Sequence, residues 1–118
     1  MITVSKLIDV SELERLTTEY GLDNGDIMIT QEDGRTLSLC WVRAEGKEMQ
    51  MRMLFSCDKD GADIAIRGAL AYGDNRFAQI CFADKGEYDN AFKCVGFTEK
   101  DGRLFIEINK VVHYGAEK

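Results

Sequence analysis

Cys57-Asp58-Lys59-Asp60-Gly61-Ala62-Asp63-Ile64-Ala65 is the stretch whose residue types and spacing bear most directly on chemistry. It joins a Met-rich apolar run to an Ala-rich, helix-forming one. The unpaired N–H groups at a helix N-terminus make such a junction a natural seat for an anion. Here three aspartates crowd it and one lysine opposes them. The same residues also suggest a hard cation, since Asp58-x-Asp60-Gly61-x-Asp63 offers three carboxylates around a glycine turn. A calcium loop starting at Asp58 would need a bidentate Glu at its twelfth position, where the chain has Ala69. Helix capping by the aspartates is the expectation, and no metal site is expected.

Other candidates are sparse. His113 follows Val111-Val112 near the C-terminus and is the only histidine; as a general base it lacks an identifiable partner acid and is expected to be solvated. Cys40, Cys57, Cys81 and Cys94 are scattered with no C-x-x-C, so zinc is not expected and reduced, mostly buried thiols are. Arg67 and Arg76 read as surface charges. No Ser-His-Asp or Cys-His signature stands out.

The elements that position these residues emerge from periodicity. Ile2 to Lys6 suits a short strand. Ser11-Glu12-Leu13-Glu14 predicts a capping box, with Leu13, Leu16 and Tyr20 on one helical face and Gly21 as the stop. Three strands then form an antiparallel meander. Its first turn is Asp33-Gly34, which tolerates positive φ at both central positions. Leu37, Leu39 and Trp41 alternate with Ser38 and Cys40, and Met49, Met51, Met53 and Phe55 with Gln50, Arg52 and Leu54. The methionine stripe is expected to be a core face, with an apolar-ligand pocket as the alternative.

A helix carrying Ile64, Ile66, Ala69, Leu70 and Gly73, and ended by Gly73, is expected next, then a buried strand over Phe77–Phe82. A short helix from about Glu87 to Val95 stops at Gly96. A hairpin turning at Asp101-Gly102 ends the order β-α-β-β-β-α-β-α-β-β. Such a meander followed by β-α-β and a hairpin predicts an α/β (α+β) mixed sheet with helices on both faces.

This order, with Asp33-Gly34, the strand-loop-helix junction and Gly96-Phe97 ending the second long helical stretch, resembles the GNAT superfamily of acetyl-CoA-dependent N-acetyltransferases. The resemblance implies one GNAT-like domain over 1–118, with a truncated N-terminal strand and helix over 1–22 and a core over 24–110. It also implies acetyl-CoA as the possible cofactor. In that family the junction reads Arg/Gln-x-x-Gly-x-Gly/Ala and wraps the cofactor's pyrophosphate. Anchored on Asp63-Ile64-Ala65, the basic position falls on Asp60 and the first glycine on Asp63; only Ala65 fits, and Gly61 fits after a shift of register. Gly61 and Ala65 are therefore the cofactor-binding candidates if acyl-CoA binds. A diphosphate beside these carboxylates is repelled by about 1 kcal/mol per charge pair even at solvent-like dielectric. The family's tyrosine acid, four residues before the glycine, falls on Phe92. Tyr88, one turn earlier, is the substitute candidate.

At 118 residues the chain is one domain's length, able to bury roughly two thirds of its unfolded surface. The net charge of −6 and the lack of Lys/Arg clusters argue against nucleic acid and anionic membranes as partners. With no long apolar run, a cytoplasmic location is expected. A homodimer through a sheet edge is compatible with the resemblance. The function these features predict is a non-catalytic or redirected GNAT-like module that binds a small ligand or a protein. The alternative is an active acetyl-CoA-dependent N-acyltransferase with a divergent phosphate loop.

Overall fold

A computed structural model describes residues 1–111, so His113 lies outside the described residues. The elements keep the predicted order: β1 Ile2–Lys6, α1 Val10–Tyr20, β2 Asp26–Glu32, β3 Arg35–Glu45, β4 Glu48–Ser56, α2 Lys59–Asp74, β5 Ile80–Ala83, α3 Asp89–Val95, β6 Thr98–Lys100 and β7 Arg103–Glu107. A 3-10 turn over Ile108–Lys110 comes after β7. The strands build one seven-stranded mixed sheet, ordered β1-β2-β3-β4-β5-β7-β6. Both predicted tight turns form as expected, with Asp33 and Gly34 at φ 52° and 81° and Asp101 and Gly102 at 53° and 78°.

Alternation along the strands feeds two cores, one on each face. Cys40, Val42, Met49, Met51 and Met53 pack with Ala62, Ala65, Ile66, Ala69 and Leu70 of α2 and with Phe92 and Val95 of α3. Ile27, Trp41 and Leu54 pack with Leu16 of α1 on the opposite face. The methionine stripe is thus core, and helices lie on both faces of the sheet. Gly73 lets α2 sit close on it, since a Cβ there would lie 2.1 Å from the Met49 Sδ.

Three local expectations are corrected. Helix α1 starts earlier than the Ser11 box, because Asp9 is the N-cap and its carboxylate accepts the Glu12 amide at 3.0 Å. Phe55 does not continue the methionine face. Leu39 pairs with Phe55 but Cys40 pairs with Met53, so Leu54 is an extra residue. This bulge turns Phe55 to the α1 side, where it lies 39% exposed. Finally, the strand expected from Phe77 begins only at Ile80. Phe77 instead lies in the turn that follows α2, with φ 67° and 84% exposure.

The join between β4 and β5 sets the shape of the functional region. It is the one parallel ladder among the described residues and spans four pairs, Glu48↔Ile80 to Met51↔Ala83. Beyond it β5 ends while β4 runs on to Ser56, leaving a gap in the sheet.

Candidate functional site

Three cavities succeed one another through this gap. The first, about 560 Å³, lies between the start of α2 and α3 and is lined by Ser56, Asp58, Asp63, Glu87, Tyr88 and Cys94 among others. The second, about 320 Å³, shares Glu87 and Tyr88 with it and reaches Arg52 and Asp84. The third, about 120 Å³, shares Arg52 and Asp84 and ends against Trp41 and Arg103 on the α1 face. They form a cleft running from one face of the sheet to the other.

At the α2 end, the carboxylates do not converge. Asp58 is the N-cap, and its Oδ1 accepts the Gly61 amide at 2.7 Å. Asp63 turns along the helix, where the Arg67 guanidinium donates to its two oxygens at 3.2 and 3.0 Å. Asp60 stays exposed. Among the described residues no group of three or more His, Cys, Asp or Glu is placed to hold a metal ion. The capping expectation therefore accounts for Asp58, and Arg67 is engaged rather than a free surface charge.

The candidates Gly61 and Ala65 face inward. A Cβ on Gly61 would lie 3.2 Å from the Ser56 Oγ and 3.3 Å from the Leu37 carbonyl, and Ala65 is fully buried against the sheet. Ala62 and Asp63 line the cavity in their place. Four carboxylates (Asp58, Asp60, Asp63 and Glu87) and one ammonium, Lys59, line this cavity, Asp63 being already paired with Arg67. The group implied by the resemblance fits poorly here. The Gly61 amide already has an anionic acceptor, and a diphosphate would add charge to an acidic rim.

Tyr88 stands in the middle of the cleft, on the N-cap residue of α3, and lines both larger cavities. Its hydroxyl accepts the Ser56 amide at 3.2 Å, satisfying a strand-edge N–H that β5 is too short to reach. Phe92, at the family's usual acid position, is buried and stacks edge-on with Phe97 at 5.0 Å. Of the cysteines, Cys40 and Cys81 are buried, and burial pushes the Cys40 thiol up to about 12. Cys57 and Cys94 are exposed, against the expectation of mostly buried thiols, and Cys94 borders the cleft.

No local pattern in the sequence marks the α1 end. Arg52 reaches from β4, donating to the Tyr20 carbonyl at 3.0 Å and lying over the Tyr20 ring. Arg103 reaches from β7 and lies over the Phe82 ring at 4.8 Å. They are 51 positions apart (103 − 52), so no spacing signal links them.

No protein-family model and no curated sequence matches the chain. Its shape does match solved structures. A GNAT-family protein from Desulfovibrio desulfuricans superposes with TM-score 0.67 at 9% identity, over 92% of this chain and 99% of that one. The E. coli protein YhhK, bound to coenzyme A, gives 0.67 at 15% identity, over 91% and 98%. The toxin AtaT, bound to the C-terminus of the antitoxin AtaR and acetyl-CoA, gives 0.62 at 11% identity, over 94% and 96%. The chain has a GNAT fold. At these identities the likeness is one of architecture, and the residues lining the GNAT-fold cleft are this chain's own. No helix among the described residues is long and apolar enough to cross a membrane.

Proposed function

We propose that this protein uses the GNAT-fold cleft to bind a small ligand and does not seat the diphosphate of acyl-CoA at the start of α2. The observation that carries this reading is the Asp58 cap. Its carboxylate holds the Gly61 amide at 2.7 Å, at the position where a phosphate oxygen would need that donor. The acidic rim of Asp60 and Glu87 supports the same conclusion. Phe92, having no proton to give, supports a non-catalytic or redirected role.

Two observations favour a second reading, an N-acyltransferase with a divergent phosphate loop. Asp63 is drawn towards Arg67, and the Tyr88 hydroxyl, with its own proton to donate, sits mid-cleft. In this reading Tyr88 or water supplies the proton to a leaving thiolate. The CoA-bound neighbours lend it an architectural precedent.

Thermal unfolding with millimolar acetyl-CoA or CoA separates the two. A ligand at 100 times its Kd stabilises by about 2.7 kcal/mol. We expect no change in midpoint. A saturable rise would overturn the first reading and favour the second, which transfer of the acetyl group to an amine would then have to show.

A further inference from the structure

We propose that the α1 end of the cleft is a subsite for the oxyanion group, carboxylate or phosphate, of a small ligand, held by Arg52 and Arg103. The proposal rests on the reading of the cleft as a small-ligand site and holds whether or not the protein is a catalyst.

The Arg103 Nε supplies the central observation. It is buried, yet it has no hydrogen-bond partner. The nearest carboxylate oxygen, Asp84 Oδ1, forms an ion pair with it at 3.6 Å, too long for a hydrogen bond, and the Arg103 and Asp84 side chains are 40% and 78% exposed. A buried guanidinium N–H normally has a close acceptor, so the long Asp84 pair leaves Arg103 with donors to spare for a second oxyanion. Arg52 borders the same cavity. The Tyr20 carbonyl takes one Nη1 contact and leaves its other donors available. Two guanidinia on one small cavity are notable in a chain of net charge −6. Guanidinium suits this task because its planar fork can present two parallel N–H donors to one oxyanion.

Size and rigidity agree with this assignment. A cavity of about 120 Å³ admits a compact end group, while its shared walls Arg52 and Asp84 open into the larger cavity beside Tyr88, where the ligand's body would lie. The site is also firmly built. The Trp41 indole, one of its walls, donates to the Asp23 carbonyl at 3.2 Å, and Gly25 packs so closely that a Cβ would lie 2.5 Å from the Val42 carbonyl. The carboxylates Asp23 and Asp84 on the rim select against a bulky polyanion and favour a ligand with one oxyanion.

Trp41 is the only tryptophan, so its fluorescence reports on this cavity. The full chain is titrated with inorganic phosphate and, separately, with succinate, at constant ionic strength. We expect a saturable change with a millimolar midpoint for at least one of them; whichever binds identifies the oxyanion as phosphate or carboxylate. Arg103→Gln and Arg52→Gln should each weaken it at least tenfold. Arg35→Gln, an equal loss of charge at the exposed first residue of β3, should leave it unchanged. Circular dichroism confirms folding; should Arg103→Gln not fold, Arg52→Gln decides, since its side chain is exposed. No saturable response to either anion, or a response unaffected by the decisive variant, would overturn the subsite. Failure of the ligand reading is distinguishable: a midpoint rise with CoA that is insensitive to Arg52→Gln would overturn the diphosphate argument while leaving the subsite's own result intact.

Discussion

Among single residues, Tyr72 has the most unusual surroundings outside the cleft. Its hydroxyl donates to the Asp26 carboxylate, and the Arg76 guanidinium lies 3.8 Å from its ring centroid. Arg76, expected as a plain surface charge, is thus a packing partner. Burial, reinforced by the hydrogen bond and charge of Asp26, raises the Tyr72 hydroxyl from 10.0 to about 12. An acid whose folded pKa is raised adds stability that is fully present below its unfolded value and lost as pH rises through the folded one. The window is therefore about pH 10 to 12. Ultraviolet titration should show one tyrosine ionising late, and Tyr72→Phe should remove that late step. If Tyr72→Phe leaves the titration curve unchanged, the Asp26 contact does not hold the proton.

At the scale of elements, the end of α2 combines strain with exposure. The Ala78 amide reaches back to the Gly73 carbonyl and the Phe77 amide to the Asp74 carbonyl, a Schellman ending that puts Phe77 at the left-handed position. Glycine is the usual occupant because it has no Cβ to clash there. Phe77→Gly should therefore raise stability, by roughly 0.5–1 kcal/mol after allowing for the greater freedom of glycine in the unfolded chain. Denaturant unfolding would measure this, and a lower midpoint would mean that the ring makes contacts its exposure hides. The same position explains why the sequence misleads here. An apolar Phe-Ala-Gln-Ile-Cys-Phe run reads as strand, and Gly73, the expected stop, lies inside the last turn of α2 while the left-handed position falls on Phe77. The Leu54 bulge is equally silent, because a two-residue period continues through Met53 and Phe55 whether or not one residue is looped out. Where turn chemistry is explicit, as at Gly21 with φ 61°, Asp33-Gly34 and Asp101-Gly102, sequence and structure agree.

For the whole molecule, the order of elements was legible because hydrophobic period and turn residues are local signals. The cleft was legible only at its α2 end, where consecutive residues from Cys57 to Ala65 form one junction. Its other end is assembled from Trp41, Arg52, Asp84 and Arg103 on separate strands and connections, and only the folded sheet brings these together. The sheet also has an uneven build. Two antiparallel groups, β1 to β4 and β5-β7-β6, meet along the four pairs of the parallel ladder. Hydrogen exchange should therefore find the amides of β5, β6 and β7 opening more readily than those of β2 and β3. Equal protection across the sheet would show that α2 and α3 clamp the two groups as firmly as the strands do.

The short ladder makes the protein a pair of leaves on a narrow spine, with the cavities set where the leaves part. A molecule gripping Arg52 on one leaf and Arg103 on the other would act as a splint. Occupancy and the cohesion of the C-terminal leaf would then rise and fall together, so that the ligand is sensed as rigidity far from where it sits.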